Sequence, residues 1–213
     1  MLYITEIFES IQGETSKAGL MTSFVRLSGC PLRCRWCDST YTYEKGKPWS
    51  IEEISEKLTN LGWKHVCVTG GEPLAQCASI ELLQRLVDEG FLISLETSGA
   101  LTTKEVPKEV KIILDIKCPG SGMSDKNDWG NITLLRQSDE VKFVLADRKD
   151  YDWAKKNILQ YSLFSKVDNV LLSPAWRLLS PEKLVAWMVE DKLPARLNLQ
   201  NHRYIWDPTK RGV

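Results

Sequence analysis

The chain has 213 residues, with Lys and Arg matched 28 to 28 by Asp and Glu, so its formal net charge is zero. A balanced surface does not draw the molecule onto nucleic acid or an anionic membrane, and direct nucleic-acid binding is not expected. No apolar run approaches the length of a membrane span, and residues 1–6 lack a basic stretch leading into an apolar one, so a single cytoplasmic domain without membrane contact is expected.

Residues 1–50 read largely as loops around one strand at 22–27. Directly after that strand comes Gly29-Cys30-Pro31-Leu32-Arg33-Cys34-Arg35-Trp36-Cys37-Asp38, with the spacing C-x3-C-x2-C. Three soft thiolates on one tight loop suit an iron–sulfur cluster. A cubane of four irons then keeps one iron without a protein ligand, which points to chemistry rather than electron storage. A structural zinc site would need a fourth Cys or His, and His65 and His202 both lie far away in sequence. Cys67, Cys77 and Cys118 lack any ligand spacing and read as ordinary small residues.

Beyond residue 50, β and α patterns alternate. Ser50 with Glu53 forms a capping-box signature, and Ile51, Ile54, Leu58 and Leu61 follow on one helical face. Buried strands are expected at 65–69, 92–96, 110–114, 141–145 and 169–172, with a weaker one at 196–199. Between them, Ile80, Leu83, Leu86 and Val87 make a helical stripe stopped by Gly90. Residues 151–161 make another helix. A last one opens at Pro181 after Ser180 and is expected to bury Leu184, Val185 and Met188. Repeated β-then-α units imply a parallel sheet. A complete eight-unit barrel takes about 250 residues. The expectation is therefore an α/β fold, an incomplete TIM-like barrel with helices outside. It forms one domain over 1–213, with a cysteine loop at 28–40 and a C-terminal tail at 203–213. The segment 118–128 is rich in turn residues after a strand, the pattern of a functional or mobile loop.

In parallel α/β folds the site forms at the carboxyl ends of the strands. Cys30, the run Thr69-Gly70-Gly71-Glu72-Pro73, the run Glu96-Thr97-Ser98-Gly99, Asp115 with Lys117, Ser173-Pro174, and Gln200 with His202 all fall at such ends.

The cysteine run together with Gly70-Gly71-Glu72-Pro73 resembles the radical S-adenosylmethionine superfamily. That resemblance implies a 4Fe-4S cluster on Cys30, Cys34 and Cys37. Its open iron would chelate the methionine moiety of S-adenosylmethionine, whose cleavage gives a 5′-deoxyadenosyl radical. Residues 7–14, 24–30, 95–99 and 199–204 resemble, in the same order, the 7-carboxy-7-deazaguanine synthase family. The resemblance implies ring contraction of 6-carboxy-5,6,7,8-tetrahydropterin, with loss of ammonia, in the pathway to queuosine-type tRNA modification. It further implies S-adenosylmethionine contacts at Trp36, Cys37, Asp38, Gly71, Asp115, Ile116, Lys117, Ser173, Pro174, Ala175 and Trp176. It places a Mg2+ ligand at Ser39, and substrate contacts at Ile11, Gln12, Gly13, Glu14, Arg26, Thr69 and His202. The partners it implies are a second copy, in a homodimer, and a flavodoxin or ferredoxin reductant. Asp115-Ile116-Lys117 departs from the family's Ser-Pro-Lys stretch, and residues 207–213 continue past the point where some members end with a carboxylate on the substrate. The cysteine spacing alone also fits a glycyl-radical activase or a non-catalytic iron–sulfur protein. The activase, however, would give Gln12, Gly13, Glu14 and Arg26 no pterin to bind.

Overall fold

The computed structural model describes residues 1–213. Nine strands form one sheet: β1 (Leu2–Ile11), β2 (Met21–Leu27), β3 (Lys47–Trp49), β4 (His65–Gly70), β5 (Leu92–Thr97), β6 (Lys111–Ile116), β7 (Glu140–Leu145), β8 (Asn169–Pro174) and β9 (Arg196–Leu197). Their spatial order is β3-β1-β2-β4-β5-β6-β7-β8-β9. From β2 to β9 all neighbours are parallel, whereas β1 runs antiparallel to β2 and β3 antiparallel to β1. The helices are α1 (Ile51–Leu61), α2 (Ala78–Asp88), α3 (Asn131–Leu134), α4 (Arg148–Gln160), α5 (Leu163–Lys166), α6 (Pro181–Glu190) and α7 (His202–Ile205).

The core lies between the helices and one face of the sheet. Ile54 and Leu58 of α1 and Leu82, Leu83 and Leu86 of α2 pack into one cluster with Val66, Val68 and Leu95. Each such side chain, withdrawn from water, contributes about 2 kcal/mol. The expected capping box is present, with Ser50 Oγ accepting from Glu53 N and the Glu53 carboxylate accepting from Ser50 N.

The two ends of the sheet approach each other without pairing. Thr15 N donates to Asn198 Oδ1 at 2.7 Å, and Asn201 N donates to Gly13 O at 2.9 Å. Loop and side-chain hydrogen bonds thus bridge the gap where a closed barrel would add strands. The architecture is the expected partial barrel.

Several boundaries differ from the sequence reading. The first 50 residues are not mostly loop, since β1 is a ten-residue strand. Its pattern is broken by a register shift between Ile4 and Glu6, and its inward positions include polar Glu6, bonded to Arg26 and Tyr41, so its period of two is hidden. The last strand stops at Leu197, and Asn198 just beyond it donates through Nδ2 to Ser173 Oγ and Glu14 Oε2. Helix α4 starts at Arg148, where Asp147 caps it by accepting from Asp150 N, rather than at 151. On α6, Leu184 is buried, but Val185 is exposed because it sits on the solvent side of the same turn. Cys67 and Cys118 are buried small residues as expected, while Cys77 is exposed at the start of α2. The 118–128 segment is tied down: Asn127 donates to the carbonyls of Lys117 and Ser124 and accepts from Lys117 N.

Candidate active site

A cavity of about 650 Å³ opens at the carboxyl ends of the parallel strands, and every residue assigned a site role from sequence lines it. Cys30, Cys34 and Cys37 come from the loop after β2, Gly71 from the end of β4, Asp115 and Ile116 from the end of β6 with Lys117 just beyond, and Ser173 and Pro174 from β8. Arg26 and Thr69 face in from the ends of β2 and β4, the 11–14 segment from the end of β1, and His202 from α7.

The cysteine loop is braced on both sides. Arg35 N donates to Ser121 O at 3.0 Å, so the turn-rich 118–128 segment supports it from one flank. From the other, Gly71 N donates to Leu27 O and Glu72 N to Gly29 O. A Cβ on Gly71 would strike the carbonyl of Gly29 and the Cys30 side chain, so only glycine lets β4 approach the cluster loop this closely. The Glu72 carboxylate turns away from the cavity into a fully buried pocket. There it accepts from Leu74 N, Thr97 Oγ1, Ser98 N and Ser98 Oγ, locking the end of β4 to the end of β5.

The thiols fit a cluster better than a single ion. No three His, Cys, Asp or Glu side chains converge on a point suited to one metal ion. Three thiols from one loop lining one cavity match a cluster that takes one thiolate at each of three corners. Burial raises the Cys30 and Cys34 thiols above the ordinary range, while the Lys117 ammonium pulls both back down. Lys117 is held by Asp115 Oδ2 at 3.1 Å. Although burial opposes it, the ammonium groups of Lys117 and Lys142 keep the Asp115 carboxyl below its usual range. Asp115 Oδ1 is buried without a hydrogen-bond partner in the protein.

The opposite wall is a network of charges. Glu14 Oε2 accepts from Lys142 Nζ at 3.0 Å and from Asn198 Nδ2 at 3.2 Å, and its Oε1 accepts from Gln200 Nε2. Burial alone would lower Lys142, but Glu14, Asp115 and Glu96 hold its ammonium well above the ordinary value. Glu96 is pushed up by burial, with Lys142 opposing, and accepts from Gln12 Nε2 at 3.3 Å. Arg26 donates through Nε to Glu6 Oε1 at 2.8 Å, leaving its two terminal nitrogens without a protein partner. His202 is lowered by burial and packs so closely on Gly13 that a Cβ there would overlap its Nδ1. Ser39 Oγ donates to Asp38 Oδ1 at 3.2 Å.

Sequence reasoning missed Lys142 and Tyr41 as cavity residues, whereas Glu96, expected at a strand end, does line it. A lone lysine inside an apolar strand at 141–145 was the available signal, because a charge in a parallel sheet must be paired. Residues 208–213 of the tail also line the cavity, although no contact had been expected of them.

The Radical SAM superfamily profile matches residues 24–124. A protein named 7-carboxy-7-deazaguanine synthase from Koribacter versatilis is 41% identical over 226 residues, covering 100% of both chains. One of the same name from Chlorobaculum tepidum is 43% identical over 215 residues, covering 100% of this chain and 97% of its own. The crystal structure of QueE from Escherichia coli superposes with a TM-score of 0.76 at 23% identity, covering 94% of each chain, and shares the fold. No helix is long and apolar enough to cross a membrane. The chain belongs to the 7-carboxy-7-deazaguanine synthase family, a family of radical S-adenosylmethionine enzymes that work with a 4Fe-4S cluster.

Proposed function

We propose that this cavity converts 6-carboxy-5,6,7,8-tetrahydropterin to 7-carboxy-7-deazaguanine with loss of ammonia. When bound, the cluster and S-adenosylmethionine supply the one-electron chemistry that removes hydrogen from C6 of the substrate. Cys30, Cys34 and Cys37 would hold the cluster. Backbone groups of Trp36, Cys37, Asp38 and Gly71 would hold S-adenosylmethionine, together with Asp115, Ile116 and Lys117 and the 173–176 stretch. Asp115 Oδ1, buried and unpaired, suits a hydroxyl donor of that cofactor. The two terminal nitrogens of Arg26 match the two oxygens of the substrate carboxylate. Backbone groups of Ile11, Gln12 and Gly13, with Glu14, Thr69 and His202, would meet the pterin ring. Glu14 is already fixed by Lys142, Asn198 and Gln200, so it meets the ring without first being ordered. Ser39 offers a hard oxygen to Mg2+, which keeps most of its waters. A flavodoxin or ferredoxin as electron source, a homodimer, and a product destined for queuosine in tRNA complete the reading.

The observation that carries this reading is the convergence of the three cluster thiols, Arg26 and residues 11–14 on one cavity. 6-Carboxy-5,6,7,8-tetrahydropterin deuterated at C6, incubated anaerobically with the reconstituted protein, S-adenosylmethionine and a one-electron reductant, tests it. The expected result is deuterium at the 5′ carbon of the adenosyl group, and unlabelled adenosyl products rule the reading out. In the same assay Ser39→Ala raises the Mg2+ concentration needed for half-maximal turnover; an unchanged requirement removes Ser39 from the metal site.

A further inference from the structure

The C-terminal segment reverses towards the cavity after α7. Thr209 donates through N and Oγ1 to Asp207 Oδ1, and Lys210 N donates to Asp207 O, making a tight turn at 207–210. That turn brings the Arg211 guanidinium over the face of Tyr41, 4.1 Å from the ring centroid. Tyr41 OH donates to Glu6 Oε1 at 2.9 Å, and Arg26 Nε donates to the same oxygen at 2.8 Å. Arg211, Tyr41 and Arg26 all line the cavity. A continuous line of contacts therefore runs from the tail to the arginine whose terminal nitrogens lack protein partners. Glu6 accepts from Tyr41 and Arg26 at once, so the Tyr41 ring sets where Glu6 stands and Glu6 sets the rotation of the Arg26 fork. Arg211, stacked on the outer face of Tyr41, closes that assembly from the solvent side.

We propose that Arg211 is a positioning residue for the substrate's carboxylate, seating Tyr41 and Glu6 so that Arg26 presents its paired terminal nitrogens to a carboxylated pterin. The inference rests on the proposed function and adds to it the tail residue that sets selectivity for the carboxylated over the plain pterin. An exposed cation over an aromatic face is a modest interaction, so the expected effect is a selective loss rather than an abolition.

The test uses cluster-loaded protein and two unreactive probes, 6-carboxypterin and pterin lacking the carboxylate, with Arg211→Ala, Arg211→Lys and Tyr41→Phe. Arg211→Ala should weaken 6-carboxypterin binding by about two- to fivefold. It should leave plain pterin, S-adenosylmethionine binding and iron content unchanged. With the tetrahydropterin substrate, KM should rise by a similar factor while kcat holds. Arg211→Lys should recover most of the loss, because an ammonium also sits over the ring. Tyr41→Phe, which keeps the ring and removes the donor to Glu6, should reproduce the loss. Equal weakening of both probes, or no weakening, overturns the role of Arg211. If the wild type converts the carboxylated tetrahydropterin while Arg211→Ala binds 6-carboxypterin normally, only this inference falls. If the wild type neither binds 6-carboxypterin nor converts the tetrahydropterin, the proposed function falls too.

Discussion

Asp38 directly follows the last cysteine of the cluster loop and holds the far end of the chain. Its Oδ2 accepts from Gln200 Nε2 at 2.8 Å and pairs with Arg203 Nη2 at 3.3 Å. Burial alone would raise this carboxyl, but Arg203 and the Gln200 hydrogen bond bring it down to about 2. A carboxyl depressed in the folded state stabilises the fold above its unfolded pKa, and that contribution disappears as pH falls through the folded value. The Asp38 link is therefore fully present near neutrality and lost between about pH 4 and about pH 2. Urea unfolding of the metal-free chain should show Asp38→Asn less stable than wild type near neutrality, with the gap closing across that acid window. A gap that stays constant with pH would mean that Asp38 does not anchor the tail segment.

Strand β7 shows how an element serves both core and site. Val141, Phe143 and Leu145 are buried in the helix-facing cluster, while Lys142 turns the other way into the cavity. Lys142 is 8% exposed and contacts both Glu14 and Asp115, so one ammonium balances carboxylates from the two ends of the site. Lys142→Met leaves Glu14 without its cation, while Asp115 keeps Lys117, and should cost about 3–5 kcal/mol in urea unfolding. Adding Glu14→Gln should recover part of that loss, and a cost below about 1 kcal/mol would place the pair in solvent-like surroundings. The same duality explains what was legible in the sequence. Strands β4 to β8 carry continuous apolar runs and were evident, as was α1 from Ser50 and Glu53. Strand β1 was not, because its inward positions hold Glu6 and a bulge interrupts its alternation. The three cysteines stood out through local spacing, Gly71 through its place between a buried strand and Glu72-Pro73, and Arg26 only through the family resemblance. Lys142 and Tyr41 acquire their roles only from contacts with residues 35 to 128 positions away, which no local pattern encodes. The tail stayed hidden because its approach depends on the 207–210 turn.

At the scale of the whole molecule, the sheet remains open between β9 and β1, and the gap is filled by polar bridges instead of strands. Glu14 is tied to Lys142, Asn198 and Gln200, and Gln200 is tied in turn to Asp38. The opening of the partial barrel is thus the site itself, with the cluster loop on one wall, Arg26 and the 11–14 segment on another, and residues 208–213 across the mouth. The most direct test supplies the reconstituted protein, under anaerobic conditions, with S-adenosylmethionine, Mg2+, a one-electron reductant and 6-carboxy-5,6,7,8-tetrahydropterin, and identifies the products by mass. The account predicts 7-carboxy-7-deazaguanine and ammonia in equal amounts. Cleavage of S-adenosylmethionine with the carboxypterin left intact would contradict it.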